Sequence, residues 1–257
     1  MIGTRVGAVS LQISDLARSV EYYESILGLQ THTRETGAAS LHAQDDPRPL
    51  VVLHETPGVT RAPARGAFGL FHFALLLPDR PALGRFVTHL ARLGVRAASA
   101  DHLVSEALYL TDPDGLGIEV YADRPRETWQ YAGGELKMTT DPLDLVSLQA
   151  AGAGRAWDGA PTGTTMGHVH LHVGDLDQAE RFYHATLGLD VTVRGYPGAR
   201  FFSAGGYHHH LATNTWSRGP SATGDQARLL EWEWIVPGAE ARTLTDPWGT
   251  VVRVCGG

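Results

Sequence analysis

Internal repetition constrains this chain more than any local propensity does. When VSLQISDLARSVEYYESILGL (Val9 to Leu29) is set over VHLHVGDLDQAERFYHATLGL (Val169 to Leu189), Val, Leu, an Asp-Leu pair, Tyr and a closing Leu-Gly-Leu coincide at a spacing of 160 residues. Self-similarity of this kind means that one structural unit recurs, and that the unit must be identified before the fold can be. Each copy opens with period-2 alternation, a strand signal. An Asp then stands where a helix N-cap belongs (Asp15, Asp175), offering a side-chain acceptor to N–H groups with no partner inside the helix. Apolar residues follow at helical spacing: Leu16, Val20, Tyr23 and Leu27 in one copy, Leu176, Ala179, Tyr183 and Leu187 in the other. Gly28 and Gly188 mark the helix ends.

A second pair of copies is interleaved with the first. GLFHFALLLPDR (Gly69 to Arg80) reads as a strand, ALGRFVTHLARLGV as an amphipathic helix, and EALYLTDPDGLGIEVY as two strands around an Asp-Pro-Asp-Gly turn. LLEWEWIVPG (Leu229 to Gly238) and RTLTDPWGTVVRV (Arg242 to Val254) repeat this pattern without the helix. The expected fold class is therefore α+β. Four βαβββ units, at 4–58, 66–122, 164–217 and 226–257 with the last truncated, form two open, curled mixed-sheet half-barrel pairs with helices outside. The connection 123–163 is rich in Gly, Pro and Thr, with one short candidate helix from Asp141 to Ala150. A connection this long joins two lobes or wraps over a site. Its AAGAGR is not a dinucleotide fingerprint, because no strand and turn lead into it.

Composition closes off several functions. With 21 Lys and Arg against 28 Asp and Glu, the net charge is -7, and no basic cluster offers a footprint for nucleic acid or anionic membrane. No apolar run approaches the roughly 18 residues of a membrane span, and the N-terminus lacks a signal-peptide pattern, so the expected location is cytoplasmic. A single cysteine, Cys255, excludes an intramolecular disulfide, and 13 histidines direct any metal chemistry toward N/O ligands.

The histidines are not scattered. In GHVHLHV, His168, His170 and His172 alternate with Val169, Leu171 and Val173, which places imidazoles on one face of a strand and aliphatics on the other. In a half-barrel with helices on its convex side, the aliphatic face packs on helix and the histidines face the concave pocket. His170 and His172 read as pocket lining or as a solvated polar face. YHHHLATN (Tyr207 to Asn214) adds a second cluster, in which alternation sends His208 and His210 one way and His209 the other.

Four stretches, GLFHFALLLPDR, DHLVSEALYLTDPDGLGIEVYADRPR, MGHVHLHVGDL and AGGYHHHLATNTW, carry a resemblance. The chain resembles the vicinal oxygen chelate superfamily of glyoxalase I, fosfomycin-resistance enzymes, bleomycin-binding proteins and extradiol dioxygenases. Within that superfamily it is most similar to catechol-2,3-dioxygenases of the bacillary type. The resemblance covers nearly the whole chain apart from the shortened fourth unit. It implies metal ligands on the first strands of paired units and on the last strand of one unit. Those positions are Ala8, His72, His168 and Glu231 on first strands, and Glu119 and Arg253 on last strands. Pairing the units in chain order gives Ala8, His72 and Glu119 in one lobe and His168, Glu231 and Arg253 in the other, neither a good divalent site. Pairing the second unit with the third collects His72, Glu119 and His168, and leaves Glu231 and Arg253 free to form an ion pair. Two His and one carboxylate on one face form the facial triad of non-haem Fe(II) oxygen chemistry, so complementation favours the second pairing.

The same resemblance places His209 as the acid–base histidine, Tyr109 as a pocket phenol and His102 as a further pocket histidine. The implied activity is an Fe(II)-dependent extradiol dioxygenase acting on a small aromatic diol and O2, with Mn(II) or another divalent metal as an alternative to iron. Two other functions compete: a non-redox metalloenzyme (a glyoxalase-like isomerase or an antibiotic-modifying thiol transferase), and a metal-free bleomycin-type binding protein. Glyoxalase-type sites take a second carboxylate, which the sequence does not place. The truncated fourth unit leaves one lobe open, so a homo-oligomer that closes it is expected.

Overall fold

The computed structural model describes residues 3–63 and 67–257. Residue 66, the expected start of the second unit, lies outside them. The first repeat forms β1 (Arg5–Ile13), α1 (Leu16–Ser25), β2 (Gln30–Glu35), β3 (Ala38–His42) and β4 (Val51–Glu55). The second forms β5 (Gly69–Leu76), α2 (Arg80–Leu93), β6 (Ala98–Asp101), β7 (Ser105–Thr111) and β8 (Gly117–Asp123). The connection carries a two-residue hairpin, β9 (Tyr131–Ala132) and β10 (Glu135–Leu136), and α3 (Leu145–Ala151). The third repeat forms β11 (Thr165–His172), α4 (Leu176–Glu180), β12 (Asp190–Val193), β13 (Ala199–Ser203) and β14 (Leu211–Asn214). The last consists of β15 (Arg228–Ile235), β16 (Arg242–Thr245) and β17 (Val251–Cys255), with no helix.

The helices start where their caps dictate. Asp15 accepts from Arg18 N at 2.9 Å, Asp79 from Ala82 N at 2.7 Å and Asp175 from Gln178 N at 2.7 Å. Gly94 closes α2 in the left-handed region, which glycine enters at little cost. Two details differ from the sequence reading. The helix in the connection starts at Leu145 rather than Asp141, because Asp144 caps it by accepting from Ser147 N. The third repeat's helix changes after Glu180 into a π-helical turn, Arg181–Thr186.

The strands build two curled, open mixed sheets, and neither follows chain order. One runs β16-β17-β15-β1-β4-β3-β2 and the other β12-β13-β14-β11-β5-β8-β7-β6. Strands of the second and third repeats thus share one sheet, and those of the first and last share the other. Strands β1 and β15 lie against β11 and β5, and one apolar core runs through both sheets and under the helices. Two buried tyrosines tie the sheets together: Tyr23 of α1 donates to Asp112 in the β7–β8 turn at 3.1 Å, and Tyr183 donates to Asp246 in the β16–β17 turn at 2.7 Å.

Candidate metal centre and active site

Strand β5 lies between β8, which it pairs in parallel, and β11, which it pairs antiparallel. His72 on β5, Glu119 on β8 and His168 on β11 therefore project side by side from the concave face. His72 Nε2 and His168 Nε2 lie 2.9 and 3.1 Å from Glu119 Oε2, and 3.4 Å from each other. One ligand atom from each of the three residues lies within 4.8 Å of the others, and all three side chains are buried. Val169 and Leu171, on the opposite face of β11, are fully buried in the core.

Two β-bulges shape this centre. Between β5 and β11 the register passes from His170↔His72 to Leu171↔Leu70, so Phe71 is an extra residue; it also passes from Met166↔Leu75 to His168↔Ala74, so Gly167 is another. A bulge re-aims side chains locally. Strict alternation would turn Phe71 away from the cavity, but Phe71 and His72 both line it. At Gly167 a Cβ would collide with the Tyr121 hydroxyl, so the bulge needs glycine for the close approach.

The charges make this a site suited to a cation. Burial alone would raise the Glu119 carboxyl; the adjacent His168 and His72 outweigh it and hold the carboxyl well below its usual range. Burial pushes the His72 imidazole down despite its contact with Glu119. A buried anion facing an imidazole, His72, that resists protonation lacks a full counter-charge there. Two imidazole nitrogens and a carboxylate oxygen match the donor set of a divalent first-row metal, so the residues present fit such an ion. Among the described residues, the buried His168 Nδ1 has no hydrogen-bond partner.

The triad opens into a cavity of about 250 Å³ walled by Phe71, Phe201, Tyr196, Trp216 and Met138. Met138, Thr139 and Thr140 come from the connection, which passes over the site. His102, Tyr109 and His209 all line this cavity. Thr139 O lies 2.6 Å from His102 Nδ1, and a carbonyl only accepts, so that nitrogen carries a hydrogen. His102 Nε2 lies 2.6 Å from the Tyr109 hydroxyl. Burial and the nearby Glu119 carboxylate raise the Tyr109 phenol well above its usual range, so it stays protonated.

The His209 ring lies 4.1 Å from that of His168, and its Nδ1 is 2.7 Å from His208 Nδ1. Burial first, then the neighbouring His168 and His208, push the His209 imidazole well below its usual value, so it is neutral near pH 7. Residues 208–210 lie outside any strand, with bends at His208 and His210, and only His209 of the three lines the cavity. His170 is a buried lining residue; Asn214 lies 2.9 Å from its Nε2 and 2.6 Å from His172 Nδ1, setting both rings.

An apolar and aromatic lining is expected of such a site, but the sequence does not single out the residues that form it. Phe201 comes from the middle of β13, Trp216 from just after β14, and Tyr196 from the loop before β13. Trp216 lies in AGGYHHHLATNTW, a stretch that already drew attention to this region. Phe71 was hidden by its bulge.

A family model described as Glyoxalase/Bleomycin resistance protein/Dioxygenase superfamily matches residues 5–120 and 165–233. A Bacillus subtilis protein named catechol-2,3-dioxygenase is 45% identical over 217 residues, covering 83% of this chain and 75% of that protein. Among solved structures, maize glyoxalase I superposes with a TM-score of 0.59 at 16% identity, covering 98% of this chain and 92% of its own. The cppA protein of Streptococcus pneumoniae superposes at 0.55 with 10% identity and 98% of each chain covered. At such identities these two likenesses concern the fold alone.

Proposed function

The chain belongs to the glyoxalase/bleomycin resistance protein/dioxygenase superfamily, and from that premise we propose that it is an Fe(II)-dependent extradiol dioxygenase cleaving a small aromatic diol with O2. One observation carries the reading: two histidines and one glutamate converge on three adjacent strands at the floor of an aromatic-walled cavity. The 45% identity to a protein named catechol-2,3-dioxygenase supports the same reaction class. His72, Glu119 and His168 would hold the metal, which when bound would supply Lewis acidity and electron exchange with O2.

The protein's own groups account for the rest. A flat ring fits between Phe71, Phe201 and Trp216, and a cavity of about 250 Å³ takes one substituted ring. With Nδ1 engaged by His208, His209 presents Nε2 to a diol hydroxyl as a neutral base, and can return that proton later. Tyr109 and His102, joined through the phenol, provide a polar wall beside a substrate oxygen. Among the described lining residues, Glu119 is the only carboxylate, which disfavours a glyoxalase-type site with two acids. No lysine or arginine is among them either, so a catechol bearing a carboxylate would find no counter-charge, and uncharged ring substituents are preferred.

The test is to load the protein anaerobically with Fe(II), then admit O2 with catechol, alkylcatechols and carboxylated catechols. Oxygen uptake with a yellow ring-fission product, strongest for the uncharged diols, is expected. Metal-loaded protein that consumes no O2 with any of them would overturn the reading.

A further inference from the structure

Behind His209 and the His208 that engages it lie polar groups that the proposed reaction leaves unused. The Nδ1 atoms of His208 and His209 lie 2.7 Å apart, so one donates and the other accepts. The far nitrogen of His208 decides which. His208 Nε2 is 2.9 Å from Asp123 Oδ1, and since a carboxylate oxygen accepts, that nitrogen carries the hydrogen. When His208 carries only that hydrogen, its Nδ1 keeps a lone pair, so His209 donates from its own Nδ1 and its Nε2 is left bare toward the cavity.

The oxygen at the end of this chain is itself fixed. The Tyr207 hydroxyl donates to the same Asp123 Oδ1 at 3.0 Å and has the Tyr121 hydroxyl 2.7 Å away. Asp123 ends strand β8, on the face that carries Glu119 and Tyr121, so one strand supplies both a triad member and the anchor. The His208 side chain is fully buried while that of Asp123 is 29% exposed, so the chain runs from the cavity to the protein surface.

We propose that Asp123 is a positioning residue: acting through His208, it holds His209 in the tautomer whose Nε2 can take a proton from a diol hydroxyl. What that proton transfer accomplishes rests on the ring-cleavage reading, whereas the tautomer itself does not.

The experiment therefore reads both. Nitrogen-15 NMR of the metal-free protein assigns the tautomer of His209, and steady-state kinetics of the Fe(II)-loaded protein follow turnover. The wild type is expected to show a protonated Nδ1 and an unprotonated Nε2. Asp123→Leu removes the acceptor, so the Nε2–H form should appear. With it kcat should fall about 10²-fold, the lower end of what a correctly protonated acid–base group contributes, while KM and metal content hold. Asp123→Asn keeps an oxygen able to accept both hydrogen bonds and should restore the tautomer and most of kcat.

A wild-type His209 in the Nε2–H form overturns the proposal, and this arm decides even if the leucine variant fails to fold. An Asp123→Leu protein that loses rate with its tautomer unchanged, or that changes in neither, also overturns it. The expected tautomer in a protein that cleaves no diol would sink the ring-cleavage reading and leave the hydrogen-bond assignment standing.

Discussion

The two sheets of this protein are copies of one design, and among the described residues only one of them groups two histidines and a carboxylate. Where β11 has His168, β1 has Ala8; where β5 has His72, β15 has Glu231; where β8 has Glu119, β17 has Arg253. The register shifts recur as well, between Val6 and Val9 and between Ser10 and Leu11, at the positions matching Gly167 and Phe71. The bulges therefore belong to the repeat rather than to the chemistry. In the second sheet the Arg253 guanidinium lies 3.1 Å from Glu231 and 2.7 Å from Glu233, and Glu233 accepts from Ala8 N at 2.9 Å. One concave face sets a guanidinium against its two carboxylates, while the other leaves a buried carboxylate facing two imidazoles.

The clasps between the sheets diverge too. Beside the Tyr23–Asp112 bond, Asp114 accepts from Ser14 and pairs with Arg18 at 2.8 Å. Beside Tyr183–Asp246, the matching turn residue is Trp248, set against Gly174, where a Cβ would approach the indole nitrogen to 2.7 Å. A polar latch and an aromatic plug thus do the same structural job.

Substitutions that move one sheet toward the other test this contrast. The largest effect is expected from Glu119→Arg, which copies Arg253 into the site. Metal affinity should fall by more than about 100-fold, because even outer-shell partners of a ligand contribute 10–100-fold, and elemental analysis with circular dichroism would separate metal loss from unfolding. Retained stoichiometric metal would show that the triad is not the binding site. Next comes His209→Phe, at a position where the first repeat has Pro49. Bound metal should persist while turnover drops about 10²-fold or more, the scale of lost acid–base catalysis. An unchanged kcat would remove His209 from the mechanism.

The Tyr–Asp clasp makes a prediction about pH. Burial raises the Asp112 carboxyl from 3.8 to about 6, more than its hydrogen bonds lower it. The folded state thus holds this proton more tightly than the unfolded chain does. The resulting stability is complete below the unfolded value and is lost as pH rises through the folded one. That window carries at most about 3 kcal/mol. Asp112→Asn lacks this titration, so its Tm relative to wild type should climb as the pH is raised from 3.8 to about 6. A constant difference across that window would show that Asp112 titrates normally. The smallest effect is expected from Arg253→Ala in the silent sheet. The guanidinium is nearly half exposed, so the loss should be under about 1 kcal/mol by denaturant unfolding, with no change in metal content or turnover.

Much of this was legible in the chain itself. The 160-residue repeat, the Asp caps and the parity of His168, Val169, His170 and Leu171 specify units, helix starts and strand faces, because each is a local consequence of backbone period and capping. The convergence of His72, Glu119 and His168 could be anticipated because the family resemblance implies the candidate positions, and the choice among them followed from asking which pairing of units leaves sensible chemistry on both sides. The tertiary structure alone decided the rest. Phe71 enters the cavity because a bulge breaks the alternation that sequence reasoning relies on. Met138 to Thr140 reach the site because the connection folds back over it, and Asp123 reaches His208 because β8 lies across the cavity from a loop 85 residues away. Periodicity is encoded residue by residue, but which distant surfaces meet depends on how two sheets bury their apolar faces together, and no local pattern records that.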